Sequence, residues 1–320
     1  MIDFRYHLVS IVAIFLALAL GIVLGSTTLS NSVSETLREQ ANSAADSAQR
    51  AREAQRDLQN QVNGEEQFAG VLAPQIVENR LKGQSVVLVE TPGAGDDSID
   101  RVGELVKKAG AAVTGRVTVQ KKLLDDDQRA TVDALAGRLQ AEGVEYPSDA
   151  GTYDKAGAVL ASALVTREPA EAGREDAATG SVLGAFTEAG YITTTGKPGR
   201  RATLAVVIAP SAPYAYEGGD DDNKALISLA SALDAAGSGT VVGGPPTAAS
   251  DGGLIAALRD SDAAESVSSV DIVDTETVSG QVVAILALQK EMSGESGQYG
   301  TGAGVSGYLP SPAPTAGKSG

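Results

Sequence analysis

Carboxylates are the groups in this chain best placed to do chemistry, and they gather after apolar runs that end in Pro and Gly. Val89-Glu90-Thr91-Pro92-Gly93 is followed by Asp96 and Asp97, Val207-Ile208-Ala209-Pro210 by Asp220, Asp221 and Asp222, and Val242-Gly243-Gly244-Pro245-Pro246 by Asp251. If the three runs are parallel strands, their carboxyl ends lie on one side of a sheet, where open α/β folds bind ligands. Thr91, Pro92, Gly93, Asp96, Pro210, Asp221, Gly244 and Pro245 then form a candidate ligand or partner edge, whose oxygen donors suit a hard cation. The same residue types also end strands and cap helices in any α/β fold, so a purely structural role stands beside the binding role.

Other chemistries fail on inventory. The chain has no Cys and no Trp, and its one imidazole, His7, borders an apolar run far from other candidate groups. That excludes thiolate nucleophiles, disulfides, zinc sites of Cys or several His, and a Ser-His-Asp triad in the rest of the chain. The turn TPGAGDD is not GxGxxG, and no GxxxxGK[ST] occurs. With 25 basic and 41 acidic residues, a net charge of −16 opposes binding to nucleic acid. We therefore expect no enzyme, no cofactor and no metal centre.

The elements that would position these loops alternate. Strands are predicted at 85–90, 113–119, 203–209, 240–242 and 267–273, and helices near 98–109, 126–141, 156–165, 181–189, 223–236, 253–259 and 277–290. Phe68 to Leu81 forms an amphipathic segment interrupted by Pro74. Continuous apolar strands between helices predict an α/β domain with a mainly parallel sheet and helices on both faces, spanning 67–291. After it, 292–320 is Gly, Ser, Pro and Thr and is expected to be disordered, with Tyr299, Tyr308 and Leu309 as its docking points.

Before the domain, residues 8–28 form a transmembrane helix, because an uncharged apolar run of this length crosses a bilayer core. Seven residues precede it, including Arg5, and the next basic residue is Arg38, so the N-terminus is expected in the cytoplasm and the domain outside. Ala13, Ala17, Gly21 and Gly25 recur every fourth residue and would let a second membrane helix approach closely. Residues 29–66 read as a helical stalk. Leu37, Ala41, Ala44, Ala48, Ala51, Gln55, Leu58 and Val62 alternate spacings of four and three, the 3.5-residue period of a coiled-coil seam. A homo-oligomer, a second single-pass membrane protein or a lone spacer helix are all compatible with that thin seam.

The opening MIDFRYHLVSIVAIFLALALGIVLGS, the passage LAPQIVENRLKGQSVVLVETPG at 72–93 and QYGTGAG at 298–304 resemble the actinobacterial copper-transporter family MctB. The resemblance covers nearly the whole chain. It implies an envelope protein linked to copper efflux or tolerance. Relatives are also paired with a SteA-type membrane protein in cell separation, which would make this chain a SteB-like partner. Copper(I) prefers thiolate and thioether ligands, whereas beyond the membrane segment the chain offers no Cys, no His and only Met292.

Overall fold

The computed structural model describes residues 4–140, 144, 146, 150–274 and 277–311, which divide into two units, Met1–Glu65 and Glu66–Gly320. Helix α1 (Phe4–Val77) contains the apolar run, the predicted stalk and the first helix of the domain. It passes through Gly64, which has open space around it, because one Gly in a long helix costs only about 1 kcal/mol. The amphipathic stretch from Phe68 is therefore not a separate element. Pro74 sits in the last turn, where few backbone bonds remain to be lost.

The second unit is built on β1 (Ser85–Glu90), α2 (Asp96–Lys108), β2 (Ala112–Val119), α3 (Lys121–Leu124), α4 (Arg129–Leu139), α5 (Thr152–Leu164), α6 (Ala177–Glu188), β3 (Ile192–Gly196), β4 (Leu204–Ile208), α7 (Gly219–Ala236), β5 (Thr240–Gly243), α8 (Leu254–Arg259), β6 (Ser268–Val270), α9 (Val278–Glu291) and β7 (Gln298–Tyr299). The strands form one sheet in the order β3-β2-β1-β4-β5-β6-β7. Every neighbouring pair is parallel except β2–β3.

Strand side chains alternate between two cores, as the period of two requires. Val87, Val89, Ala205 and Val207 pack with Val132, Leu160, Phe186 and Leu229 from α4 to α7. Val86, Leu88, Val206 and Ile208 pack with Val77 of α1, Ile99 and Val102 of α2, and Ile285 of α9. Helices thus cover both faces, as continuous apolar strands demand. Gly103 in α2 would bring a Cβ within 3.1 Å of Leu88 Cδ1, so its bare backbone lets α2 lie close on β1.

Two sequence expectations are corrected here. Strand β3 was not anticipated, because Thr193, Thr194 and Thr195 are all exposed and give no apolar signal. Disorder from 292 onward does not hold either: Gln298 and Tyr299 are buried and form β7 beside β6. Of the expected tail, 312–320 lies outside the described residues.

Candidate functional site

β1 and β4 are neighbours, yet the chain winds from β1 toward β2 and from β4 toward β5 and β6. Their carboxyl ends are thus a topological switch point, where folds of this kind hold their ligands. Here that crevice is laced shut by the chain itself. Thr91 donates to the Ile208 carbonyl twice, from its N–H at 3.2 Å and from Oγ1 at 2.8 Å. The Ser211 N–H donates to the Gly93 carbonyl at 2.8 Å, and the Tyr214 hydroxyl donates to the Pro92 carbonyl at 2.8 Å. Gly93, at φ 84°, takes the left-handed conformation that turns its carbonyl to Ser211.

A second layer backs this closure. The Tyr214 and Tyr216 rings lie 5.6 Å apart, and the Tyr216 hydroxyl donates to Asp222. Lys121 sits 4.6 Å from the Tyr216 ring centroid, a cation–π contact. Burial pushes both phenols and the Asp222 carboxyl above their ordinary pKa values. The helices that start here carry acids in their first turns, Asp96 and Asp97 on α2 and Asp220 to Asp222 on α7. Phosphate binds helix N-termini through their positive potential, which the carboxylates of Asp97, Asp220 and Asp221 oppose.

Of the eight residues expected at the edge, the structure brings Thr91, Pro92, Gly93 and Pro210 together. Pro210 Cβ lies 3.8 Å from where a Cβ on Gly93 would stand. Gly244 and Pro245 end the next strand and do not form an open loop. A Cβ on Gly244 would meet Ala209 Cβ at 2.8 Å, while its N–H donates to the Val270 carbonyl at 3.0 Å. The Asp221 carboxylate pairs with Lys224 at 2.9 Å, which lowers its pKa. Asp96 opens α2, and its side chain lies outside the described ones. Among the described residues no three His, Cys, Asp or Glu side chains converge as metal ligands.

Three polar clusters escaped the sequence reading because their members are far apart in the chain. Asp271, fully buried, pairs with Arg259 at 2.8 Å and accepts the N–H groups of Thr301 and Gly302, each at 2.8 Å. Arg259 also donates to Ser269 Oγ at 2.9 Å, the Tyr299 carbonyl at 3.0 Å and the Ala303 carbonyl at 2.9 Å. QYGTGAG is therefore a backbone wrap around one ion pair. At the start of α9, Glu66 accepts the Val278 N–H at 2.6 Å and the Ser279 hydroxyl at 2.6 Å, so α1 caps α9. Buried Glu90, at the end of β1, holds Arg116 at 2.6 Å and Thr118 Oγ1 at 2.7 Å on β2.

In the first unit, Arg5–Gly25 is 21 residues long, none of it buried, and contains an 18-residue window of mean hydropathy 2.9, long and apolar enough to cross a membrane. Ala13, Ala17, Gly21 and Gly25 lie on this span, and neither glycine has an atom within 4 Å of a Cβ position. Ala41, Ala44, Ala48, Ala51, Gln55, Leu58 and Val62 are exposed on α1; the Leu37 side chain is outside the described ones.

Among the described residues, one apolar helix of spanning length and a doubly wound α/β domain whose switch point is bridged by its own hydrogen bonds are the make-up of a membrane-associated protein. The family model described as copper transport outer membrane protein, MctB, matches residues 1–310. The chain belongs to the MctB family. It is 32% identical over 315 residues to the copper transporter MctB of Mycobacterium tuberculosis strain H37Rv, covering 95% of this chain and 98% of that protein. To the copper transporter MctB of Mycobacterium leprae it is 31% identical over 250 residues, 74% of this chain and 77% of that one.

Proposed function

We propose that this chain is a non-enzymatic, membrane-anchored component of copper efflux or tolerance, with its N-terminus in the cytoplasm and its α/β domain outside. The observation that carries the reading is family membership across residues 1–310 in a chain with one helix of spanning length among its described residues. One helix cannot line a channel. The donor inventory also speaks against a soft-metal site in the domain, which has no Cys, no His and only Met292. Copper is thus cargo of the system rather than a ligand of this domain, and the chain acts on it through partners. The test is a deletion strain grown on rising copper: copper sensitivity restored by the full chain supports the role, and unchanged tolerance refutes it.

A second reading is favoured by the exposed seam from Ala41 to Val62, which repeats every 3.5 residues on an unbroken helix. In it the stalk and the small-residue stripe associate with a second copy or with a SteA-like single-pass protein, and the chain is a scaffold in cell separation. Each contact is weak, and shared tethering in one membrane supplies the effective concentration. Because the chain has no Cys, Ala44→Cys reports this directly. A crosslinked product in membranes supports a paired stalk, and none leaves it a lone spacer. A separation defect in the deletion strain without copper sensitivity would favour this reading over the first.

A further inference from the structure

The sheet ends in two edges that are built differently. At β7 the edge is two residues long, and the chain folds back on it, with the Gly300 N–H donating to the Gly307 carbonyl at 3.1 Å. At β3 the edge is open. Thr193, Thr194, Thr195 and Gly196 are all exposed, and the strand has no charge, no Pro and no shift of register against β2. Those are the devices that ordinarily keep a strand edge from pairing.

The bonds flanking β3 show which way its backbone groups point. The Gln120 N–H donates to the Tyr191 carbonyl at 2.9 Å, and the Lys197 N–H to the Thr114 carbonyl at 2.9 Å. Odd-numbered residues of β3 thus turn their backbone groups to β2, and those of Thr194 and Gly196 point the other way. An antiparallel partner strand centred on Thr195 would set Thr194 of each copy opposite Gly196 of the other. Thr195 would then face its own counterpart in a non-hydrogen-bonded pair. Thr opposite Thr is a favourable cross-strand pair, and no charge is brought opposite a like charge. So short an edge would hold a free peptide poorly. It suits a partner already concentrated beside it, which a second copy in the same membrane is.

We propose that β3 pairs antiparallel with β3 of a second copy of this chain, joining the two sheets edge to edge independently of the stalk. The absence of native Cys makes the test clean. Facing residues of a non-hydrogen-bonded antiparallel pair have Cα atoms about 4.5 Å apart, within disulfide range. Mild oxidation of membranes carrying full-length Thr195→Cys should give a product of doubled mass, whereas Ser181→Cys on the exposed face of α6 should not. Adding Thr194→Pro removes an N–H that β2 does not use, and should lower the Thr195→Cys dimer at least about fivefold with the melting temperature unchanged. No dimer from Thr195→Cys where Ala44→Cys does crosslink overturns the proposal, as does a product carrying a different protein. A Thr195→Cys dimer where Ala44→Cys stays single keeps it and removes stalk pairing instead.

Discussion

Asp271 and Gly300 touch so closely that a Cβ on Gly300 would overlap the Asp271 carboxylate, and Gly300 holds φ at 127°, where side chains are strained. Gly300→Ala should therefore displace the loop from 300 to 304 and leave a buried carboxylate short of donors. The expected loss is roughly 3 kcal/mol in denaturant unfolding of the full chain. Asp271→Asn should cost about as much, because Arg259 would be left buried without its counter-charge. Unfolding midpoints that match the parent would refute the wrap as a stabilising element.

Glu66 is the only described side chain that satisfies both the Val278 N–H and the Ser279 hydroxyl. Glu66→Ala should cost about 1–2 kcal/mol, in the range of a lost helix cap. Hydrogen exchange should rise at 278–281 and stay unchanged in β1 and β4. Glu66→Gln should recover part of the loss, since one acceptor oxygen remains.

Glu291 predicts a pH dependence. Burial pushes its carboxyl from 4.5 up to about 8, with the Ser268 hydrogen bonds and nearby Asp234 as smaller influences. Between those values the folded chain keeps a proton that the unfolded chain releases. This group's share of stability is thus full below about pH 4.5, falls as pH rises and is spent above about 8. Glu291→Gln keeps an acceptor for the Ser268 N–H and has no proton to lose. The variant should match the parent near pH 5 and exceed it at pH 9 by a few kcal/mol at most. Parallel stability curves for the two proteins would refute the assignment.

Closure of the switch point makes a prediction of its own. Thr91→Val with Tyr214→Phe removes two side-chain hydrogen bonds across the crevice and should lower stability by roughly 1–3 kcal/mol. Nucleotides and dinucleotides should leave the melting temperature of the full-length parent unchanged, because the carboxylates of Asp97, Asp220 and Asp221 oppose phosphate at the helix starts that would receive it. A nucleotide-dependent rise in that temperature would show that the crevice opens.

The sequence reading succeeded where local signals agree with the fold. The apolar runs in β1, β4 and β5 are buried on both faces, so they read as strands without tertiary knowledge. It failed where neighbours decide. Thr193 to Thr195 become a strand only because β2 is there to pair with. Gly300 and Gly302 look like a flexible linker in composition, but their missing side chains are what the buried Asp271 requires. The candidate edge was half legible in the same way. Thr91, Pro92, Gly93 and Pro210 were placed at converging strand ends, whereas the tyrosine that seals them, Tyr214, gave no signal in the linear chain.

The wrap around Asp271 also orders events during synthesis. Arg259 and Asp271 are both made at least some thirty residues before Thr301 and Gly302, the backbone donors that surround the carboxylate. Until those emerge, β6 is an outer strand with an ion pair beside it that lacks its backbone donors, a state prone to wrong strand partners. The sheet can close its last edge only once residues 298–302 have been delivered. A factor that shields β6 meanwhile would act on the nascent chain rather than on the finished protein.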